Sequence, residues 1–131
     1  MFPLSVLLAT VVIAVGGLQL GFSAHGRSEV FHAQVVGSSG SAEVRVTDGH
    51  AELVVDHLVR PPGGDIYEVW LARPNREPQP APALFTVSAR GNGVVTIPGD
   101  LHGIQQLMVT SEPAGGSQVP THPAVITADL R

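Results

Sequence analysis

The 131-residue sequence contains no cysteine and no lysine, and it carries little charge overall. The lack of cysteine excludes a disulfide framework, a thiol nucleophile and a thiolate-ligated zinc or copper site. Seven arginines against eleven acidic residues give a formal net charge of −4, whereas a surface that binds phosphate backbones is positively charged. We therefore expect no nucleic-acid partner. The length fits one domain.

Charge is also missing from the first 24 residues, which form the most apolar part of the chain. Residues 4–22, from Leu4 to Phe22, include eleven Leu, Ile, Val or Phe side chains. Nineteen residues at about 1.5 Å each cover the roughly 30 Å of bilayer hydrocarbon. The segment therefore predicts one transmembrane helix within residues 1–24, which acts as a signal anchor in the plasma membrane.

A cleavable signal peptide is the alternative for this segment, and it would release a secreted or periplasmic β-sandwich that binds a ligand or a protein. The segment has no basic n-region, and cleavage after Ala24 would place the large Phe22 at a position that prefers small residues. Both features favour the anchor, and a mature chain that starts near His25 would exclude it. Arg27, on the C-terminal side, would place that side in the cytoplasm by the positive-inside rule.

The remaining sequence predicts short strands separated by turns, with a tether over residues 25–29. Asp48-Gly49 and Gly91-Asn92-Gly93 are hairpin signals. Residues 73–82 contain four prolines and predict an exposed loop. Regular strand spacing predicts an all-β fold over residues 30–131, an antiparallel β-sandwich of immunoglobulin-like size with about eight strands. The strands are predicted over residues 30–37, 42–47, 51–58, 66–72, 83–88, 94–97, 104–110 and 123–128.

Several short motifs follow one another at a characteristic spacing. Residues 67–71 read YEVWL and are followed by the proline-rich loop and by ALF at 83–85. Residues 109–117 read VTSEPAGGS and precede Pro120-Thr121. In this order the motifs resemble the C-terminal, extracytoplasmic domain of the anti-sigma-K factor family, over about residues 30–131. The residues that carry the resemblance are Tyr67, Trp70, Leu71, Phe85, Glu112, Pro113, Gly115, Gly116, Ser117, Pro120 and Thr121.

The resemblance implies a single-pass membrane protein whose outer domain takes part in signal transduction. In such families, proteolysis outside and then inside the membrane releases a cytoplasmic domain that holds a sigma factor, and transcription is regulated in this way. Because the family's sigma-binding domain does not precede the helix in this sequence, we expect this chain alone not to bind a sigma factor. The implied partners are the membrane, an envelope protein or protease and, indirectly, a sigma factor. The resemblance implies that the β domain lies outside the cytoplasm, and we prefer this over the opposite orientation that Arg27 favours.

The motif residues also have physical roles that can be argued from their positions. Tyr67 and Trp70 fall on opposite faces of one strand, so one should pack in the core and the other should cover an edge or a loop. Pro113 ends a strand, and two glycines after it permit a positive φ. We expect Glu112 to accept hydrogen bonds from backbone amides of that loop.

The sequence gives weaker signals for a catalytic or metal-binding site than for the family motifs. Among six histidines, at positions 25, 32, 50, 57, 102 and 122, the best pair is His50 and His57 beside Asp56, and its spacing is not that of a typical metal site. No Gly-x-Ser-x-Gly elbow is present, and Ser117 reads as a turn residue. We expect no enzymatic activity, no cofactor, no metal and no small-molecule substrate. The expected contact surfaces are the sheet edges and the 73–82 and 111–122 loops.

Overall fold

The computed structural model describes residues 27–131, and these residues form eight strands. Within this range the structure has no helix, and hence none that is long and apolar enough to cross a membrane. The predicted span from Leu4 to Phe22 lies outside the described residues. The strands are β1 Ser28–Val35, β2 Ser41–Thr47, β3 His50–Asp56, β4 Ile66–Ala72, β5 Gln79–Phe85, β6 Gly93–Ile97, β7 Gln106–Glu112 and β8 Ile126–Asp129.

All eight strands belong to one antiparallel sheet, in the order β5-β4-β7-β8-β1-β2-β3-β6. Residues 28–33 of β1 pair with β2, whereas Gln34 and Val35 pair with β8. The sheet therefore folds over at β1, and its edge strands β5 and β6 approach each other so that it nearly closes a barrel. This confirms the all-β, antiparallel, eight-strand prediction. It differs from a sandwich of two separate sheets because one strand serves both layers.

The core lies between the two layers, and period-two alternation explains which residues fill it. In β2 and β3, alternate side chains such as Val44 and Leu53 are completely buried, whereas Glu52, which precedes Leu53 and points to the other face, is exposed. Each strand thus contributes one apolar row. The buried core residues are Ala42, Val44, Ala51, Leu53, Val55, Leu58, Tyr67, Val69, Ala81, Ala83, Phe85, Val87, Ile97, Leu107, Val109, Ile126 and Ala128.

The two predicted hairpin signals have different outcomes. Asp48 and Gly49 join β2 to β3 with φ angles of 52° and 80°, the left-handed pair that a two-residue hairpin turn requires. Gly91-Asn92 also forms a tight turn, in which Asn92 O accepts from Ser88 N at 2.9 Å. The strands on either side of this second turn do not pair with each other, because β6 pairs with β3 instead.

The proline-rich segment is partly a strand, which corrects the prediction of a loop over residues 73–82. Residues 79–82 begin β5, which pairs with β4 and has an irregular register between Glu68 and Trp70. Pro80 and Pro82 are tolerated because β5 is an edge strand, where a proline can turn its missing N–H away from the partner. Proline argues against a central strand but not against an edge strand, and the prediction did not make that distinction.

The start of β1 lies at one end of the domain, together with three other chain segments. Ser28 is already opposite Thr47, and Asp48 N donates to Arg27 O at 3.2 Å. The 98–105 loop joins this end, because Gln105 N donates to Ala72 O and the Arg73 guanidinium donates to the carbonyl of His102. Residues 129–131 are here as well. The 113–121 loop follows β7 at the opposite end, about 20 Å away along that seven-residue strand.

Candidate functional site

Strand β4 is buried on both of its faces, which is unusual for a sheet at the surface of a small domain. Tyr67 and Val69 point into the core, whereas Glu68 and Trp70 point outwards. Yet Glu68 is only 4% exposed, and Trp70 is fully buried, as is Thr110 of the neighbouring strand β7. The outer face of β4 and β7 must therefore be covered by another part of the chain.

The cover is the 113–121 loop, which folds back across this outer face. Pro113 follows β7, and its carbonyl accepts a hydrogen bond from Gly116 N at 2.9 Å in a tight turn. Gly115 and Gly116 have φ angles of 92° and 84°, which favour glycine. Ser117 N then donates to Glu68 Oε1 at 2.7 Å. The PAGGS sequence therefore reverses the chain and ties it to the acidic side chain below.

A second acidic residue, Glu112, fixes the far end of the loop. Its carboxylate has no exposed surface and accepts a hydrogen bond from Thr110 Oγ1 at 2.5 Å. Thr121 donates to the same carboxylate twice, through its hydroxyl and through its backbone N–H at 3.0 Å. Trp70 Nε1 donates to Thr110 Oγ1 at 2.8 Å. We call Trp70, Thr110, Glu112 and Thr121 the Glu112 network.

Hydrogen bonding and burial shift the two buried acids in opposite directions. Burial alone would raise the pKa of Glu112, but hydrogen bonds from Thr110, Thr121 and Ser117 outweigh it and hold the pKa at about 2. Burial raises the pKa of Glu68, the Ser117 N–H partly opposes that rise, and the nearby negative charge of Glu112 adds to it. Glu112 is therefore a stable buried anion, whereas ionised Glu68 lacks comparable support.

The aromatic motif residues on the inner face belong to the core. Tyr67 and Phe85 lie opposite each other on β4 and β5, with ring centroids 5.4 Å apart. The Tyr67 hydroxyl donates to the carbonyl of Val59, and burial raises its pKa. Leu71 is half-buried and packs against the same core. Pro120 is half-buried within the loop. Tyr67 and Phe85 therefore hold the sheet together, whereas Leu71 also borders a surface pocket beside Arg73 and Gln79.

The histidines do not form a metal centre in the part of the chain that the structure describes. His50 and His57 stand at opposite ends of β3, roughly 20 Å apart by strand rise. His57 Nδ1 lies 3.0 Å from Asp56 Oδ2, and both side chains are exposed. Across residues 27–131, no group of three His, Cys, Asp or Glu side chains could hold a metal ion. His25 lies outside the described residues.

Glu68 and Thr110 belong to this site although the sequence did not single them out. In an alternating strand both read as solvent-facing polar residues. The available signal was Trp70, which shares a face with Glu68 by the period of two. A tryptophan on that face indicates that the face is covered, because so large an apolar side chain is seldom left in water.

A pair of alanine substitutions should separate the two reasons for glycine in the loop, which are the positive φ angle and the lack of space for a side chain. A Cβ at Gly116 would lie 3.0 Å from Glu68 Oε1 and 3.1 Å from Leu84 Cδ2, whereas at Gly115 it would meet nothing within 4 Å. Both positions have positive φ. We expect Gly115→Ala to lower the free energy of unfolding by about 1 kcal/mol from backbone strain alone, and Gly116→Ala by about 2 kcal/mol. Urea unfolding, followed by the fluorescence of Trp70, measures both, and equal losses would contradict the crowding.

Comparison with known proteins gives one match. A family model described as anti-sigma-K factor rskA, C-terminal, matches residues 4–125. This is the family that the sequence motifs resemble. No curated protein and no solved structure matches the chain significantly. The matched range covers the apolar segment at residues 4–22, seven strands and the loop over the Glu112 network.

Proposed function

The chain belongs to the family of anti-sigma-K factor C-terminal domains, and from this premise we propose that it is a membrane-anchored regulatory protein whose β domain lies outside the cytoplasm. It would modulate sigma-factor-dependent transcription through protein contacts and regulated proteolysis. The observation that carries the proposal is the continuity of the family match, which runs from the apolar segment at residues 4–22 into the β domain.

The position of β1 supports a domain held close to the membrane. Five residues, 23–27, separate the predicted span from Ser28, and five residues reach at most about 18 Å. One end of the domain would then face the bilayer, namely the end with residues 48–49, 73–78, 98–105 and 129–131. The 113–121 loop would face away from it, where an envelope partner has access.

Strand pairing supports a role in protecting the chain from proteolysis. A protease needs a locally unfolded segment. Residues 28 and 29, the first two of β1, are already paired with Thr47 and Val46 of β2. A folded domain would thus leave only the few residues before Ser28 as a cleavage site. It would also hold these residues close to the membrane, where a protease has little access. Unfolding or displacement of the domain would lengthen the accessible segment.

The bonding within the site supports action by contact and not by chemical reaction. In the Glu112 network the carboxylate is saturated by donors from its own chain, and it is closed to solvent. Such a group orders a loop and is not available as a general acid or base, which must reach a reacting proton. The family is a regulatory one, which agrees with this interpretation.

One experiment tests the anchor, the topology and the shielding together. Alkaline phosphatase, which is active only outside the cytoplasm, is fused after Arg131 of the full chain. We expect activity in the membrane fraction. Val44→Asp places a charge at a fully buried position opposite Phe31 of β1, and it should unfold the domain. We expect it to move at least half of the phosphatase activity into the soluble extracytoplasmic fraction, through cleavage near residues 23–29.

The control for this experiment is Arg45→Gln, on the same strand but on its exposed face. It should keep the phosphatase in the membrane, since exposed ion pairs contribute little to stability. Soluble extracytoplasmic activity from the unsubstituted chain would favour the released, secreted domain. Inactive phosphatase would contradict the topology. Retention of Val44→Asp in the membrane, with its unfolding verified by circular dichroism, would contradict the shielding.

A further inference from the structure

The edge strand β5 and the 113–121 loop enclose a groove of about 370 Å³ beside the Glu112 network. Pro80, Pro82 and Leu84 form one wall, and Gly115 to Gln118 form the other. Glu68 lies in the floor of this groove, and only 4% of its surface is exposed to solvent. We call this space the β5 groove.

Glu68 lines the β5 groove, and one of its two carboxylate oxygens has no donor among the described residues. Its Oε1 accepts from Ser117 N at 2.7 Å, and among residues 27–131 no donor reaches Oε2. The neighbouring Gly116 keeps the space open, because a Cβ there would come within 3.0 Å of the carboxylate and 3.1 Å of the Leu84 side chain. A buried carboxylate oxygen without a donor is costly, so a ligand that donates to it gains affinity.

The charge around the groove is negative without a counter-charge. Glu112 lies close enough to raise the pKa of Glu68, and no arginine or histidine lines the groove or pairs with Glu68 in the described part of the chain. A metal ion is a poor occupant, because no third acidic or histidine side chain converges here. The complementary ligand is an organic cation whose apolar stem can pack on the proline and leucine wall.

We propose that the β5 groove binds a lysine side chain of a partner protein, with the ammonium on Glu68 Oε2 and the methylene stem against Pro80, Pro82 and Leu84. This deepens the proposed function and rests on it, since it names the chemistry of one protein contact. Only one carboxylate oxygen is free, which suits a compact ammonium better than the two-pronged arginine fork. The 131 residues contain no lysine, so a second copy of them cannot be the source.

The binding test uses the full chain in neutral detergent and a small probe, Nα-acetyl-lysine methylamide. Amide resonances of Gly116 and Ser117 are followed by NMR during titration to about 50 mM. We expect saturable shifts with this probe and none with the norleucine analogue, which has a similar stem without the charge. Glu68→Gln keeps an acceptor for Ser117 N and should weaken binding at least tenfold. Glu52→Gln, an exposed acid on β3, is the matched control and should not change it.

Each outcome of the titration decides the proposal. Equal shifts with norleucine, or unchanged affinity in Glu68→Gln, would overturn it. Equal or tighter binding of the arginine analogue would overturn the assignment to an ammonium. The titration uses neither a membrane nor a protease, so its failure leaves the phosphatase experiment unaffected. A failed phosphatase experiment would likewise leave lysine binding at Glu68 to be measured on its own.

Discussion

Replacement of Glu112 by alanine should lower the free energy of unfolding by about 3–5 kcal/mol. The substitution removes a fully buried carboxylate and leaves the Thr110 hydroxyl and the Thr121 hydroxyl and N–H without their acceptor. Urea unfolding, followed by the fluorescence of Trp70, the only tryptophan, measures the loss. Glu52→Ala, at an exposed acid, should stay within about 0.5 kcal/mol of the unsubstituted chain. A loss below about 1 kcal/mol for Glu112→Ala would show that the network is not required.

The effect of Glu112 should also depend on pH in a defined window. Its pKa is about 2 in the folded chain against a usual 4.5, so it stabilises the fold above pH 4.5 and loses that contribution as the pH falls towards 2. The difference corresponds to about 3 kcal/mol. The stability gap between the unsubstituted chain and Glu112→Ala should therefore narrow by about that amount across this window. A constant gap would contradict the lowered pKa.

The pKa of Glu68 is shifted in the opposite direction to that of Glu112. For this reason we expect Glu68→Gln, the variant used in the binding test, to remain folded. The pKa of Glu68 is raised in the folded chain, so its contribution to stability is full below its unfolded pKa and is lost as the pH rises through its folded pKa. Above its folded pKa the ionised side chain therefore opposes folding. Glutamine removes that charge and retains an oxygen for Ser117 N, so the fold should persist.

Local sequence signals predict most of the strands because local physics determines them. Strand β4 lies over the predicted residues 66–72, since its β-branched and aromatic residues favour a strand and turn residues bound it. The Asp48-Gly49 hairpin follows from the φ values that these residues adopt readily. The double role of β1 is different, because the switch from β2 to β8 at residue 34 depends on where distant strands lie.

The candidate site was predictable in part for the same reason. The turn at residues 113–116 can be read from proline and glycine, whose conformational limits are local. The partners of Glu112 cannot, since Thr121 reaches it only when the loop folds back, and Trp70 joins through Thr110 from another strand. Glu68 reads as an ordinary outward residue until the loop that covers it is placed. Tertiary contacts, and not propensities, create the buried polar groups.

Replacement of Trp70 by alanine should cost about 3–5 kcal/mol and should loosen the 113–121 loop. Trp70 is the largest fully buried side chain, and it lies on the outer face of β4, so its loss opens a cavity beneath the loop's attachment points. Circular dichroism must replace fluorescence as the probe, because the fluorophore is lost. Hydrogen exchange at Ser117 N and Thr121 N, which donate to Glu68 and Glu112, reports on the loop.

Trp70→Phe separates packing from hydrogen bonding at this position. Phenylalanine keeps most of the aromatic bulk but cannot donate to Thr110 Oγ1, so we expect a smaller loss of about 1–2 kcal/mol. Val94→Ala, at an apolar side chain that is 64% exposed, is the control and should cost less than about 0.5 kcal/mol. An alanine variant that keeps the loop amides fully protected would contradict the coupling of Trp70 to the loop.

The Trp70 variants also connect stability to the proposed function. If the folded domain protects the segment before Ser28, then release of the phosphatase fusion should follow the population of unfolded chains, which rises about tenfold for each 1.4 kcal/mol lost. Trp70→Ala should therefore be cleaved far more than Trp70→Phe, and Val94→Ala no more than the unsubstituted chain. Cleavage that does not follow this order would separate proteolysis from the fold and would indicate that contact with the membrane alone protects the segment.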